Sequence, residues 1–288
     1  MDFDFSYSSL ASIVNAAEKN NTTISALILA QQAQQMEQSE EALYAHMREN
    51  FQVMSQCIEP GCQEDLKSTS GLTGGSAFKM RRAAESGRSL TGSLMAGALY
   101  RALAVSELNA AMGRIVAAPT AGSCGILPGA LLAAQELDGF SDDALVMALF
   151  AAAAIGHVIA LQATISGAEG GCQAECGTAA GMAAAALTQL YGGTPEAAAH
   201  ACAFALMNTL GLVCDPVGGL VEVPCVYRNV GGVSQAISAA QLALSGVACP
   251  ISLDEMILTM RDVGDAMPSS LRETGEGGCA ACHACRRD

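Results

Sequence analysis

Tryptophan is absent from this sequence, and aromatic residues make up only 4% of its 288 positions. Packed sheets draw on aromatic and β-branched side chains, so the shortage argues against a β-sandwich. The 51% hydrophobic share is carried largely by alanine, which suits helices approaching one another closely. The expected fold class is all-α. Positive charge is also scarce, with 14 Lys and Arg against 28 Asp and Glu and a net charge of −14. Such a chain repels nucleic acid phosphates and anionic membrane surfaces, so neither is an expected partner, and an anionic substrate has to meet local donors. The start, Met1-Asp2-Phe3-Asp4-Phe5, has neither the basic residues nor the apolar run of a signal peptide, and a reducing cytoplasm is the expected setting. No Gly-rich turn ends in Gly-Lys-Ser/Thr or follows a β-strand pattern, which excludes a P-loop and a dinucleotide fingerprint. No repeat or low-complexity linker separates domains. The chain reads as one domain over 1–288, in which 1–60 could form a helical sub-lobe and 276–288 is a tail.

Helical punctuation is plentiful. Leu10, Ile13, Val14 and Ala17 fall on one helical face, a second run extends from Thr23 to Met36, and a third follows Ser39, an N-cap candidate, to Ile58. Further helices are expected over about Leu90–Leu103 and after Ile126. Ser141, Thr194-Pro195-Glu196 and Ser252-Leu253-Asp254-Glu255 each carry the signature of a helix start. Ala144 to Ala163 is long enough to cross a bilayer and is broken only by Gly156, His157 and Gln162. Much of its apolarity is alanine and no cation flanks it closely, so it reads as a buried helix, with His157 (like His200) a hydrogen-bonded core histidine.

Three loops rich in hydroxyls and glycine stand out: Ser68-Thr69-Ser70-Gly71-Leu72-Thr73-Gly74-Gly75, Pro119-Thr120-Ala121-Gly122-Ser123, and Ser166-Gly167 with the glycines after it. The first leads into a helix carrying Lys79, Arg81 and Arg82. Loops of this kind can point N–H and hydroxyl groups at an anion, and several of them suggest one shared pocket.

Twelve cysteines in a reducing compartment are metal ligands or small core residues rather than disulfides. Cys57 and Cys62, around Glu59-Pro60-Gly61, read as free thiols at a turn, because no second pair lies nearby. Cys202 and Cys249 lie within or at the end of alanine-rich helical patterns and read as core. Cys172, Cys214 and Cys225 differ, each lying beside Gly or Pro where regular structure breaks. Cys176, one turn after Cys172, could face the same way or simply pack. The spacing, with forty-one and then ten residues between the three cysteines, matches neither paired zinc sites nor ferredoxins, and taken alone leaves metal binding open.

Gly71-Leu72-Thr73-Gly74-Gly75, Asn109-Ala110-Ala111-Met112-Gly113, Pro119-Thr120-Ala121-Gly122-Ser123, Ser166-Gly167 with Gly170-Gly171-Cys172-Gln173-Ala174-Glu175, Gly211-Leu212-Val213-Cys214-Asp215-Pro216-Val217, Leu220-Val221-Glu222-Val223-Pro224-Cys225 and Arg272-Glu273-Thr274-Gly275 occur in this order along nearly the whole chain. Together they resemble the iron–sulfur-dependent L-serine dehydratases, specifically the α chain of the two-chain form. The resemblance implies an all-helical catalytic domain with a 4Fe–4S cluster on Cys172, Cys214 and Cys225, one iron being left open to polarise the hydroxyl of L-serine on its way to pyruvate and ammonia. It further implies that Ser70, Thr73, Gly74, Asn109, Thr120, Ser123, Ser166 and Gly167 surround the substrate carboxylate, with Lys79 compensating charge. The family's Ser-Ser-Ser-His-Thr-like segment, expected in the β portion, does not occur here, so a β-chain partner is expected to supply the base. A C-terminal cysteine, Cys285 or Cys282, is a candidate fourth ligand that substrate displaces. Two other readings remain at this stage: a related elimination on threonine or cysteine, and a non-catalytic helical protein with a structural zinc.

Overall fold

Small residues set how closely the helices of this chain approach one another. In the computed structural model, which describes residues 7 and 9–283, the chain is all-α: no strand occurs among the described residues, and one isolated bridge joins Cys214 to Arg272. The helices are α1 (Leu10–Lys19), α2 (Ile24–Gln35), α3 (Glu40–Gln56), α4 (Ile58–Gly61), α5 (Ser76–Glu85), α6 (Gly92–Ala110), α7 (Ile126–Asp138), α8 (Asp142–Gln162), α9 (Gly167–Gly170), α10 (Thr178–Leu190), α11 (Pro195–Met207), α12 (Cys225–Leu244) and α13 (Leu253–Ala266).

The expected helix starts are present. Ser39, Ser141 and Thr194 accept hydrogen bonds from the N–H groups of Ala42, Ala144 and Ala197, and Ser252 forms a capping box with Glu255. Helix α6 differs from its expected extent: it continues past Leu103 to Ala110 and ends where Met112 takes a φ of 63°. Glu107, in this extra length, is fully buried and accepts hydrogen bonds from the N–H groups of Ser76 (3.1 Å) and Ala77 (3.0 Å). The first turn of α5, which the sequence suggested for an external anion, thus has the protein's own carboxylate.

Helix α10 is the centre. Its residues from Thr178 to Thr188 are buried, and it packs against α7, α8, α11 and α12. Around it, backbones touch where side chains are missing. A Cβ on Gly125, just before α7, would stand 2.2 Å from the Ala102 carbonyl oxygen of α6, and one on Gly61 would stand 2.1 Å from that of Ala104. Buried residues from Leu10 to Met260 belong to one continuous core, which includes Cys57, Cys62, Cys124, Cys202 and Cys249.

Helix α8 is long and apolar enough to cross a membrane, and about two thirds of its apolar window (67%) is buried against the other helices. His157 corrects an expectation: it is exposed, on a face shared with exposed Ala160 and Leu161 that turns away from the core. His200 is half-buried, as a bonded histidine should be, and its Nδ1 accepts the N–H of Cys249 at 3.3 Å.

Candidate active site

Two of the three singled-out cysteines sit where core helices begin. Cys172 precedes a π-helical turn, Gln173–Gly177, that runs directly into α10, and Cys225 is the first residue of α12. Helical turns of this wide type recur at functional sites, because the extra residue breaks the regular backbone register. Helices α10 and α12 pack against each other, so both thiols stand on the same rigid pair.

Cys214 is brought in on a loop and fastened there. Gln173 is the first fastener: its N–H donates to Leu212 O (2.9 Å), its Oε1 accepts the Gly211 N–H (2.8 Å), and its Nε2 donates to Met260 O (2.8 Å). The C-terminal segment is the second, with Cys214 N–H donating to Leu271 O (2.9 Å) and Glu273 N–H to Cys214 O (2.6 Å). This gives the Arg272-Glu273-Thr274-Gly275 motif a structural place: it pairs edge to edge with a cysteine loop. Gly171, with a φ of 77°, is needed because a Cβ there would stand 2.8 Å from Leu212 O and 2.7 Å from the Met267 methyl.

The thiols of Cys172, Cys214 and Cys225 are all buried, and beside them lies Glu175. Its Oε1 accepts the Thr120 hydroxyl at 2.8 Å, and its Oε2 is 4.0 Å from Cys214 Sγ. Thr120 Oγ1 is 3.2 Å from Ser123 Oγ, and Asn109 Nδ2 donates to Ala121 O at 3.3 Å, so Asn109, Thr120 and Ser123 form one polar wall. Glycines let the backbone pack closely on these groups. A Cβ on Gly167 would lie 2.5 Å from Glu175 Oε2 and 2.8 Å from Cys214 Sγ, and one on Gly122 would lie 3.2 Å from Glu175 Oε1.

Electrostatics tie these groups together. Burial pushes Cys214 and Cys225 up, Cys225 to about 12, and the neighbouring charges of Cys172 and Glu175 add to both shifts. Cys172 moves the other way, its thiolate held down by a hydrogen bond with Cys176 and by the Arg228 guanidinium. Burial also raises Glu175 despite the bond from Thr120. Protonated thiols in such a place are inert until a metal replaces their protons. Among the described residues no three His, Cys, Asp or Glu groups gather tightly enough to hold a single ion. Three buried soft donors from separate segments, within electrostatic reach of each other, have the ligand chemistry that an iron–sulfur group or another thiophilic metal takes. Cys176 has its sulfur 3.4 Å from that of Cys172 and is completely enclosed, so it packs behind its neighbour.

Ser70 and Thr73 are engaged elsewhere. Ser70 Oγ donates to Glu222 Oε2 at 2.6 Å, Thr73 donates to Glu222 Oε1 through its N–H (2.9 Å) and hydroxyl (3.0 Å), and the Ser68 hydroxyl is bonded to the same oxygen. Their loop still adjoins the polar wall: Thr69 N–H donates to Ala110 O at 3.0 Å, next to Asn109, and Val221, beside Glu222, faces Gly122. Gly74 packs its α-carbon against the Leu66 carbonyl, where a Cβ would stand 2.1 Å from the oxygen. Ser166 donates its N–H to Thr164 Oγ1 at 3.1 Å and leads into buried Gly167. Lys79 is exposed on α5, and Cys282 is exposed in the tail; Cys285 lies outside the described residues. Glu175, Glu222, Asp215 and Arg228 were not among the candidates. The available signal for the first three was an acidic residue inside a motif otherwise made of Gly, Pro, Cys and small residues.

The family described as "Serine dehydratase alpha chain" matches residues 19–280 of the chain. The "Probable L-serine dehydratase, alpha chain" of Bacillus subtilis is 47% identical over 269 residues, 93% of this chain and 89% of that protein. The "L-serine dehydratase, alpha chain" of Peptoniphilus asaccharolyticus is 41% identical over 268 residues, 93% of this chain and 92% of that one. "L-serine dehydratase 1" of Escherichia coli is 41% identical over 249 residues, which are 82% of this chain but 53% of the longer protein.

Proposed function

The chain belongs to the serine dehydratase alpha-chain family, and from that premise we propose that it converts L-serine to pyruvate and ammonia as the α chain of an iron–sulfur-dependent dehydratase, with a 4Fe–4S cluster on Cys172, Cys214 and Cys225. The observation that carries this reading is the convergence of those three buried thiols, from two core helices and one fastened loop, beside Glu175, with Gly167 and Gly122 packed against that carboxylate. When bound, the cluster supplies a Lewis-acidic iron that lacks a protein thiolate and polarises the substrate hydroxyl.

The chain's own groups do the rest of its share. In this reading Asn109, Thr120, Ser123, Ser166 and Gly167 surround the substrate carboxylate. Gly167 packs so closely on Cys214 and Glu175 that any side chain would collide with both. Thr120 holds Glu175 by one oxygen and leaves Oε2 toward Cys214, which makes this carboxyl the group in the chain to act as the acid that protonates the departing hydroxyl. For Ser70 and Thr73 to join the carboxylate site their hydroxyls must exchange Glu222 for substrate, and Gly74 and Lys79 remain candidates from the same loop and the helix after it.

The base that removes the Cα proton comes from the β chain in this scheme. His46, His157 and His283 are exposed, and His200 is bonded to Cys249, which supports looking for the base on another chain. Anaerobic purification of the chain together with its β chain, followed by iron and sulfide analysis, should give about four of each per α chain. Cys214→Ala should remove both the broad visible absorbance and pyruvate formation, and a variant that kept them would overturn the ligand assignment. Comparing kcat/KM for serine, threonine and cysteine then fixes the substrate, with serine expected to be preferred.

A further inference from the structure

Arg228 lies one turn into α12, three residues after Cys225, and its side chain is only 15% exposed. Its Nη1 donates to Val213 O at 2.5 Å and its Nη2 to Asp215 Oδ1 at 2.7 Å. Val213 and Asp215 are the two residues flanking Cys214, so one guanidinium grips the cysteine loop on both sides. The same group faces Cys172, and its charge also reaches Cys225 and Glu175. Asp215 extends the linkage. Its second oxygen accepts the Cys279 N–H at 2.6 Å, and Gly278 packs so closely that a Cβ there would stand 2.1 Å from that oxygen. A single planar fork therefore connects α12 with the Cys214 loop and, through Asp215, with the C-terminal segment.

A chain with a net charge of −14 gathers three thiolates and a carboxyl in a buried space when these sulfurs are metal-bound. Buried negative charge needs a partner, and a rigid fork that bonds two acceptors at once serves better than a flexible ammonium. We propose that Arg228 is the positioning residue of the site: it fixes the Cys214 loop against Cys172 and Cys225 and offsets the negative charge of the thiolate-held group, thereby governing both how firmly that group is retained and its reduction potential. This inference rests on the cluster reading above.

The two roles separate by substitution, because Arg228→Lys keeps the charge and loses the fork, whereas Arg228→Gln loses the charge. Each variant is prepared as the full chain with its β chain and loaded anaerobically beside the wild type. Three quantities are read: iron and sulfide per chain, the rate at which visible absorbance bleaches under a ferrous chelator, and the midpoint potential. Both variants should bleach faster, by about tenfold, the factor expected for losing one charge-assisted hydrogen bond. Arg228→Gln should also show a more negative potential, since removing a nearby cation favours the oxidised state, while Arg228→Lys restores the potential but not the retention. Wild-type retention and potential in both variants would overturn the proposal. If Arg228→Gln does not fold, Arg228→Lys decides alone: accelerated bleaching with an unchanged potential supports the role, and wild-type bleaching refutes it. A wild type that takes up no iron or sulfide sinks the cluster reading itself, whereas a loaded wild type with indifferent variants sinks only the assignment to Arg228.

Discussion

Glu222 is 2% exposed and is surrounded by the hydroxyls of Ser68, Ser70 and Thr73 and the Thr73 N–H. Burial alone would raise its pKa, but these donors outweigh it and hold the carboxyl below the ordinary glutamate value. The native state thus binds a proton less readily than the unfolded chain at this position. Its contribution to stability is complete above the ordinary carboxyl range and disappears as pH falls through the depressed native value. Glu222→Gln keeps the shape but loses the charge-assisted bonds, at a cost of about 1.5–3 kcal/mol for one such bond. In urea titrations the variant should unfold earlier than wild type near neutral pH, with the gap narrowing as the solution is acidified. A gap that stays constant with pH would show that Glu222 is not held as a carboxylate. The same substitution loosens the tie between the Ser70–Thr73 loop and the segment leading to Cys225, so its kinetic effect should fall on KM as well as kcat.

Helix contacts carry the next layer, and they depend on missing side chains. Gly125 lies where α7 begins against α6, and adding one methyl there would drive it to 2.2 Å from a carbonyl oxygen that is backbone and has little room to yield. Gly125→Ala should therefore destabilise the protein by about 1–3 kcal/mol, the range of overpacking, read as a lower denaturant midpoint with an unchanged slope. An unchanged midpoint would mean that α6 and α7 can slide apart at no cost. Much of this layer was legible in the sequence, because caps and small-residue packing are local: Ser39, Ser141, Thr194-Pro195 and the Ser252 box all announce helix starts within four residues. The carboxylate partners were not. Glu222 meets Thr73 across 149 positions and Glu107 meets Ser76 across 31, and no local pattern reveals that an anion-binding loop has been paired with an internal anion. His157 misled for a related reason, since an apolar run shows that a helix has a buried face without showing which of its few polar residues lies on the other. The three cysteines were distinguishable by their Gly and Pro neighbours, but their meeting depends on α10 packing against α12 and on Gln173 and Arg228 holding the Cys214 loop.

At the scale of the whole molecule, this chain assembles a thiol site and a polar wall but places no histidine in hydrogen-bond contact with either among the described residues. It corresponds to 53% of the length of the Escherichia coli relative, while the Bacillus and Peptoniphilus relatives that it covers almost fully carry the name of an α chain. The proposed function predicts a division of labour, with cluster retention in this chain and proton abstraction in the other. Purified alone under anaerobic conditions, the chain should load iron and sulfide and show the broad visible absorbance, yet form pyruvate slowly. Adding the β chain should raise turnover by about a hundredfold or more, the contribution of a positioned general base. The pH profile discriminates further. A base supplied by a β-chain histidine puts an ascending limb near the imidazole range in the assembled enzyme, a limb that Glu175→Gln in this chain should leave in place while lowering the plateau. Full turnover by the isolated chain would instead move the base into this chain, and an ascending limb that vanished in Glu175→Gln would then identify the buried carboxyl beside Cys214 as that base.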